Sequence, residues 1–223
     1  MRLKGYVRAL AVLPLLLCNK LLVEAAEPVL IKGGFSPNGK VAVVVKGDED
    51  TSQASVTAGN EHPYLENSMT GKIIGPLEEV DTVGGGFGHV LANVTAYWSP
   101  DSRFVTVRYR AGRLSEAFVI YLIEHRAGSY RAVPQKLPEA SGGPNGQKIF
   151  AHASHAANMG DIFDHWISST EIAVTKYRYF PPYPPETGVD FFDGDGRIQV
   201  FYSNRAGSWI VSGYKKPPSP QGN

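Results

Sequence analysis

Tyr97-Trp98-Ser99-Pro100-Asp101-Ser102-Arg103-Phe104-Val105-Thr106-Val107-Arg108-Tyr109 is the clearest statement of architecture in this 223-residue chain. A strand ends in an aromatic, a tight turn follows, and a second strand of β-branched and aromatic residues begins. Pro100 sets φ for the turn, and Ser99 and Asp101 are residues whose side chains bond nearby backbone. Phe104, Val105, Thr106 and Val107 have the side chains that strands favour. The same unit recurs upstream as Phe35-Ser-Pro-Asn-Gly-Lys-Val-Ala-Val-Val-Val45 and downstream as Trp166-Ile-Ser-Ser-Thr-Glu-Ile-Ala-Val-Thr-Lys-Tyr177. A second, later turn repeats as well, as Arg126-Ala-Gly-Ser-Tyr130 and Arg205-Ala-Gly-Ser-Trp209. Two matches at two places within the unit make an internal repeat. Its anchors Phe35, Trp98 and Trp166 lie 63 and 68 residues apart.

Working outward, four strands are expected in each unit. In the second unit they run over Val94–Trp98, Arg103–Tyr109, Ala117–Glu124 and Tyr130–Val133. The units span about 28–77, 93–134 and 160–214, within one domain over 28–214. The fold class is therefore all-β: three four-stranded antiparallel units. Sixteen Pro, 24 Gly and 11% aromatic residues suit such a turn-rich β protein. Trp98, Val105, Val107, Val119, Tyr121 and Trp166 are the expected core. Residues 215–223 have the Pro-rich composition of a disordered tail.

The first 25 residues read as a signal peptide. Arg2, Lys4 and Arg8 precede an apolar run from Ala9 to Leu17, too short to span a bilayer, and Val23-Glu24-Ala25 offers small residues for cleavage after Ala25. Cys18, the single cysteine, lies inside that segment. The mature chain then has no disulfide and no thiolate, which suggests a bacterial periplasmic or extracellular location rather than a eukaryotic secretory one. No membrane span is expected after cleavage. With 22 basic and 21 acidic residues the formal charge is +1, which gives no basic stripe for nucleic acid.

Trp98-Ser-Pro-Asp-Ser-Arg-Phe-Val and Phe35-Ser-Pro-Asn-Gly-Lys-Val-Ala resemble the repeat of TolB-like, WD-repeat-like β-propellers, Trp-Ser-Pro-Asp-Gly-Lys followed by an apolar strand. The third unit departs from it: Ser168 stands where Pro is expected and Gly is missing. Propellers usually need four to eight blades, and three units are visible. Three arrangements follow: an incomplete propeller, a homodimer in which two chains complete a ring, or a β-meander. The resemblance implies a binding scaffold and no particular reaction.

Candidate chemistry is sparse. Gly84-Gly-Gly-Phe-Gly88 lacks the strand before and the helix start after that a phosphate cradle needs. Asp190, Asp193 and Asp195 suggest calcium, but an EF-hand register would place Phe191 and Tyr202 at the positions that need carboxylates. Asp161, Asp164 and His165 read as structural hydrogen-bonding groups near Trp166. His152 and His155 are the one close histidine pair, in a Gly/Ser-rich connector that does not support a metal site. No nucleophile motif occurs, so no catalytic residue, metal or cofactor is assigned, and a non-enzymatic module is preferred. A small hydrolase using loop His, Asp and Glu groups is the alternative. Because loops alternate between the two ends of antiparallel units, the long connections should share one end. Arg110, Arg113, His152, His155, Tyr179, Phe180 and Tyr183 are the expected binding residues there, facing a protein or glycan partner. Export predicts that protein from its native host begins after Ala25; intact mass or N-terminal sequencing reads this directly, and a retained Met1 would refute it.

Overall fold

The computed structural model describes residues 27–47, 61–80, 94–111, 116–140, 158–179 and 196–215. Residues 1–26, on which the expected signal peptide falls, the chain beyond Lys215 and the interiors of most long connections lie outside the described residues. Twelve strands and no helix are present among those described. The first unit comprises β1 (Val29–Phe35), β2 (Val41–Gly47), β3 (Glu61–Asn67) and β4 (Lys72–Pro76). The second comprises β5 (Val94–Trp98), β6 (Phe104–Arg110), β7 (Glu116–Arg126) and β8 (Ser129–Gln135). The third comprises β9 (Asn158–Ser168), β10 (Glu171–Tyr179), β11 (Gly196–Arg205) and β12 (Ser208–Lys215). Each unit is an antiparallel meander, so the protein is all-β as its composition indicates. The first two units are not separate sheets, however. A parallel bridge between Lys32 and Thr95 joins β1 to β5 and makes one eight-stranded sheet, ordered β4-β3-β2-β1-β5-β6-β7-β8. This sheet folds over on itself until β4 and β3 approach β8.

The hairpin turns of the first two units share one bonding scheme. Ser99 N–H donates to Phe104 O at 2.9 Å and Ser36 N–H to Val41 O at 3.0 Å. The serine hydroxyls accept the return bonds from Phe104 N–H and Val41 N–H. They donate in turn to Asp101 Oδ1 at 2.7 Å and Asn38 Oδ1 at 2.9 Å. Gly39 and Ser102 both sit at positive φ, 68° and 62°. Serine at Ser102 is strained there, but its Oγ accepts Asn38 N–H from the first unit's turn at 3.1 Å, which ties the two turns together. The Arg-Ala-Gly-Ser repeats are two-residue hairpin turns, with both Ala127 and Gly128, and both Ala206 and Gly207, at positive φ.

Two cores result, one at each junction. The first packs Ile31, Val41, Val43, Val45 and Leu65 against Val94, Ala96, Val105, Val107, Tyr109 and Tyr121, with Trp98 and Val119 half-buried beside them. Each fully buried Val contributes about 1.5–3 kcal/mol. The second packs the opposite face of the second unit, Phe104 and Ile120, against Phe163, Ile172, Val174, Val200, Tyr202 and Trp209. It is rich in aromatic contacts: Phe104 lies 5.8 Å from Trp166 and 5.5 Å from Trp209, and Tyr97 lies 5.2 Å from Phe163.

The third unit's departure from the repeat has a structural reason. Ser168 pairs directly with Glu171, so its turn holds only Ser169 and Thr170, and β9 bulges next to it. Trp98 pairs with Val105, seven residues on, whereas Trp166 pairs with Ile172, six residues on. A one-residue slip exchanges the faces of a strand. It presents Ile172 and Val174 to the second unit in place of Ala173 and Thr175. A further register shift at Asp164 keeps Phe163 on the same face as Trp166 and releases Asp164 to accept bonds from Thr175 Oγ1 at 2.8 Å and Gln199 Nε2 at 2.9 Å.

The first junction turns on Gly33 and Gly34. A Cβ at Gly33 would lie 2.3 Å from Ala96 O, and Gly33 has φ 69°. The carbonyl of Gly34 accepts the Trp98 indole N–H at 3.0 Å. Gly33→Ala should cost about 1–2 kcal/mol from the left-handed backbone alone, before the clash is counted. Trp98→Ala should cost about 3–5 kcal/mol as a large aromatic truncation. Denaturant titration measures both, and a loss below about 1 kcal/mol for Trp98→Ala would mean that the indole does not anchor the junction.

Candidate functional site

The strand order fixes which connections meet. Turns after β1, β3, β5, β7, β9 and β11 are short and lie at one end of the units. Chain leaves and re-enters at the other end after β2, β4, β6, β8 and β10. Arg110, exposed, is the last residue of β6 and pairs through its backbone with Glu116 at that end. Tyr179, the last residue of β10, pairs through its backbone with Asn158 there. Arg113, His152, His155, Phe180 and Tyr183 lie outside the described residues, as do Asp190, Asp193 and Asp195.

At this end a cavity of about 450 Å³ opens between the second and third units. Phe118, Ile120 and Leu137 make its apolar wall, and Glu116, Gln135 and Asp161 supply polar groups. Gln135 Nε2 donates to Val133 O and Pro134 O. Glu116 lies 3.7 Å from Arg108 Nε, and the Arg108 guanidinium sits 5.5 Å from the Tyr97 ring centroid. Asp161 accepts from Lys176 Nζ at 2.7 Å, and Lys176 is only 9% exposed. Gly160 brings β9 under Tyr177, since a Cβ there would fall within 2.6–2.8 Å of the Tyr177 ring.

Two phenols are held neutral. Burial pushes the Tyr202 hydroxyl well above the usual range, and the Asp161 charge adds to it. Tyr121 is raised in the same way, first by burial and then by Glu79. The Tyr121 hydroxyl donates to Glu78 O, and Tyr109 OH donates to Glu79 O at 3.3 Å. These two bonds clasp the chain that follows β4, where Leu77 and Val80 are buried. The neutral Tyr121 phenol acts as a hydrogen-bond donor, not a base.

The cavity residues Glu116 and Gln135, and Lys176 behind Asp161, were not singled out by the sequence. Glu116 and Gln135 stand at strand ends, where polar residues are ordinary, and only the packing of β9 beneath β7 turns their positions into a lining. Asp161 and Lys176 form a cross-strand pair that follows from the β9–β10 register, which the bulges hide from a count along the chain. Asp164 and Asp161 both hold structural bonds, and His165 is exposed. No group of three or more His, Cys, Asp or Glu placed to hold a metal ion occurs among the described residues. Compared with known proteins, the chain matches no family model, no curated protein and no solved structure.

Asp161→Asn removes the charge that faces a nearly buried ammonium. It should lower stability by about 1–2 kcal/mol, and Asp161→Asn with Lys176→Met should recover most of the loss. Thermal unfolding of the two variants measures this; equal losses would mean that the pair does not support the cavity wall.

Proposed function

We propose that the chain is an exported, non-enzymatic, propeller-like binding module of the bacterial envelope, which holds a protein or glycan partner at the end of the units opposite the short turns. The observation that carries this reading is the meeting, at one end, of five connections and a cavity with mixed lining. Binding residues concentrate where loops are held on a rigid scaffold. A volume of about 450 Å³ lies in the range of small-ligand pockets and suits a single sugar unit or an amino-acid side chain. Its apolar wall with a few acceptors and donors is the composition that such recognition uses. Arg110 stands beside this opening, and Tyr179 leads chain out of the same end.

The test uses the immobilised mature chain to capture partners from envelope extract of the native host, identified by mass spectrometry. Glu116→Trp, which extends from the lining into the cavity, and the Tyr179→Ala/Tyr183→Ala double variant should each reduce capture of the same partner about tenfold, as hot-spot truncations do, with unchanged thermal unfolding. Capture that is equal across all three proteins would refute the site. Hydrolysis in a substrate panel that His152→Ala or His155→Ala abolishes would favour an enzyme instead.

A further inference from the structure

The junctions between units are directional. The forward face of the first unit, Val41, Val43 and Val45, meets the backward face of the second, Val105, Val107 and Tyr109. The forward face of the second, Phe104 and Ile120, meets the backward face of the third, Ile172 and Val174. The same bond marks both junctions at the same level. Trp98 Nε1 donates to Gly34 O, and Trp166 Nε1 donates to Tyr97 O at 2.9 Å. In each case the aromatic that ends a unit's first strand bonds the carbonyl one residue before the corresponding aromatic of the preceding unit. The repeated bond spans 64 and then 69 residues.

This leaves, at each end of the series, one face that belongs to neither inter-unit core. On the first unit's backward face, Phe35 occupies the position of the two tryptophans and is 58% exposed, and Leu30 on the same face is 42% exposed. They flank Ala42 and Val44, with which they pair across β1 and β2 and which are themselves buried, so the exposed apolar surface of this face is Phe35 and Leu30. On the third unit's forward face, Ala173 pairs with His165 and Phe201, Ser203 pairs with Ile210, which is 38% exposed, and His165 is itself exposed. No described strand covers either face.

We propose that a second copy of this chain covers both faces. The forward face of the third unit in each copy receives the backward face of the first unit in the other, and Phe35 of one copy lies beside His165 of the other. The occupant is argued from continuity with the two junctions already present: each open face is one half of an interface that the chain builds twice within itself. A directional contact of this kind either closes into a ring or runs on as a filament. Two copies give six units, within the four to eight of closed rings of such sheets, and three copies would exceed that range. The inference stands independently of any ligand at the opposite end.

The test measures mass in solution and contact direction separately. Light scattering of the mature chain at about 50 μM should give twice the chain mass. Phe35→Asp, at a position exposed in the single chain, should give the single-chain mass with an unchanged far-UV spectrum. Mature-chain Phe35→Cys and His165→Cys proteins, which contain no other cysteine, should form a mixed disulfide when combined and oxidised. A single-chain mass for the unaltered protein would overturn the proposal. So would an open series of larger species, or a disulfide formed only between two Phe35→Cys chains.

Discussion

The bond from the Trp98 indole to the Gly34 carbonyl is the constraint on which the rest of the molecule depends. It requires β5 to run beside β1 at close range, and two consecutive glycines allow that approach. A side chain at Gly33 would strike Ala96 O, and one at Gly34 would strike Val43 O at 2.5 Å. Once the strands are parallel neighbours, the valines of β2 and those of β6 face each other, and the eight-stranded sheet closes over them. The Ser102 hydroxyl holds the same alignment at the turns, at the expense of a left-handed serine.

The second junction reaches the same arrangement with different material. Valines give way to Phe104, Trp166, Trp209 and Phe163, whose rings meet at tilted, edge-on and stacked angles, geometries that favour aromatic pairs. β9 does not pair with the eight-stranded sheet and is held against it by side chains and by the Trp166 indole bond. Because packing rather than backbone pairing joins this unit, a gap persists at the end away from the short turns. The Asp161 carboxylate in the lining is paired with the nearly buried Lys176 ammonium behind it. The candidate site is thus a consequence of how the third unit is attached.

Much of this was readable along the chain. Ser99-Pro100-Asp101 and Ser36-Pro37-Asn38 specify their own turns because the bonding partners lie within five residues. Alternation in Phe104–Tyr109 and the repeated Arg-Ala-Gly-Ser turns likewise place strands and hairpins from neighbours alone. Strand positions therefore differ from the expected ones only by a few residues at their ends, where pairing continues beyond the apolar stretch. The site was far less legible. Arg110 and Tyr179 are at the expected end because strand parity puts them there, whereas Glu116, Gln135 and Asp161 become neighbours only through contact between separate units.

The sequence by itself determined an all-β chain of three repeated meanders, with short turns at one end and long connections at the other, because turn bonding and two-residue periodicity are local. Tertiary structure alone decided three further things. β1 and β5 fuse two meanders into one sheet, since a parallel bridge 63 residues apart leaves no mark in either strand beyond a pair of glycines. The third meander presents Ile172 and Val174 inward, since a turn shorter by two residues and a bulge beside it shift the strand by one position. The cavity exists because the third unit packs on the second through side chains, and the spacing between such surfaces is set by the rings that fill it rather than by any local run of residues.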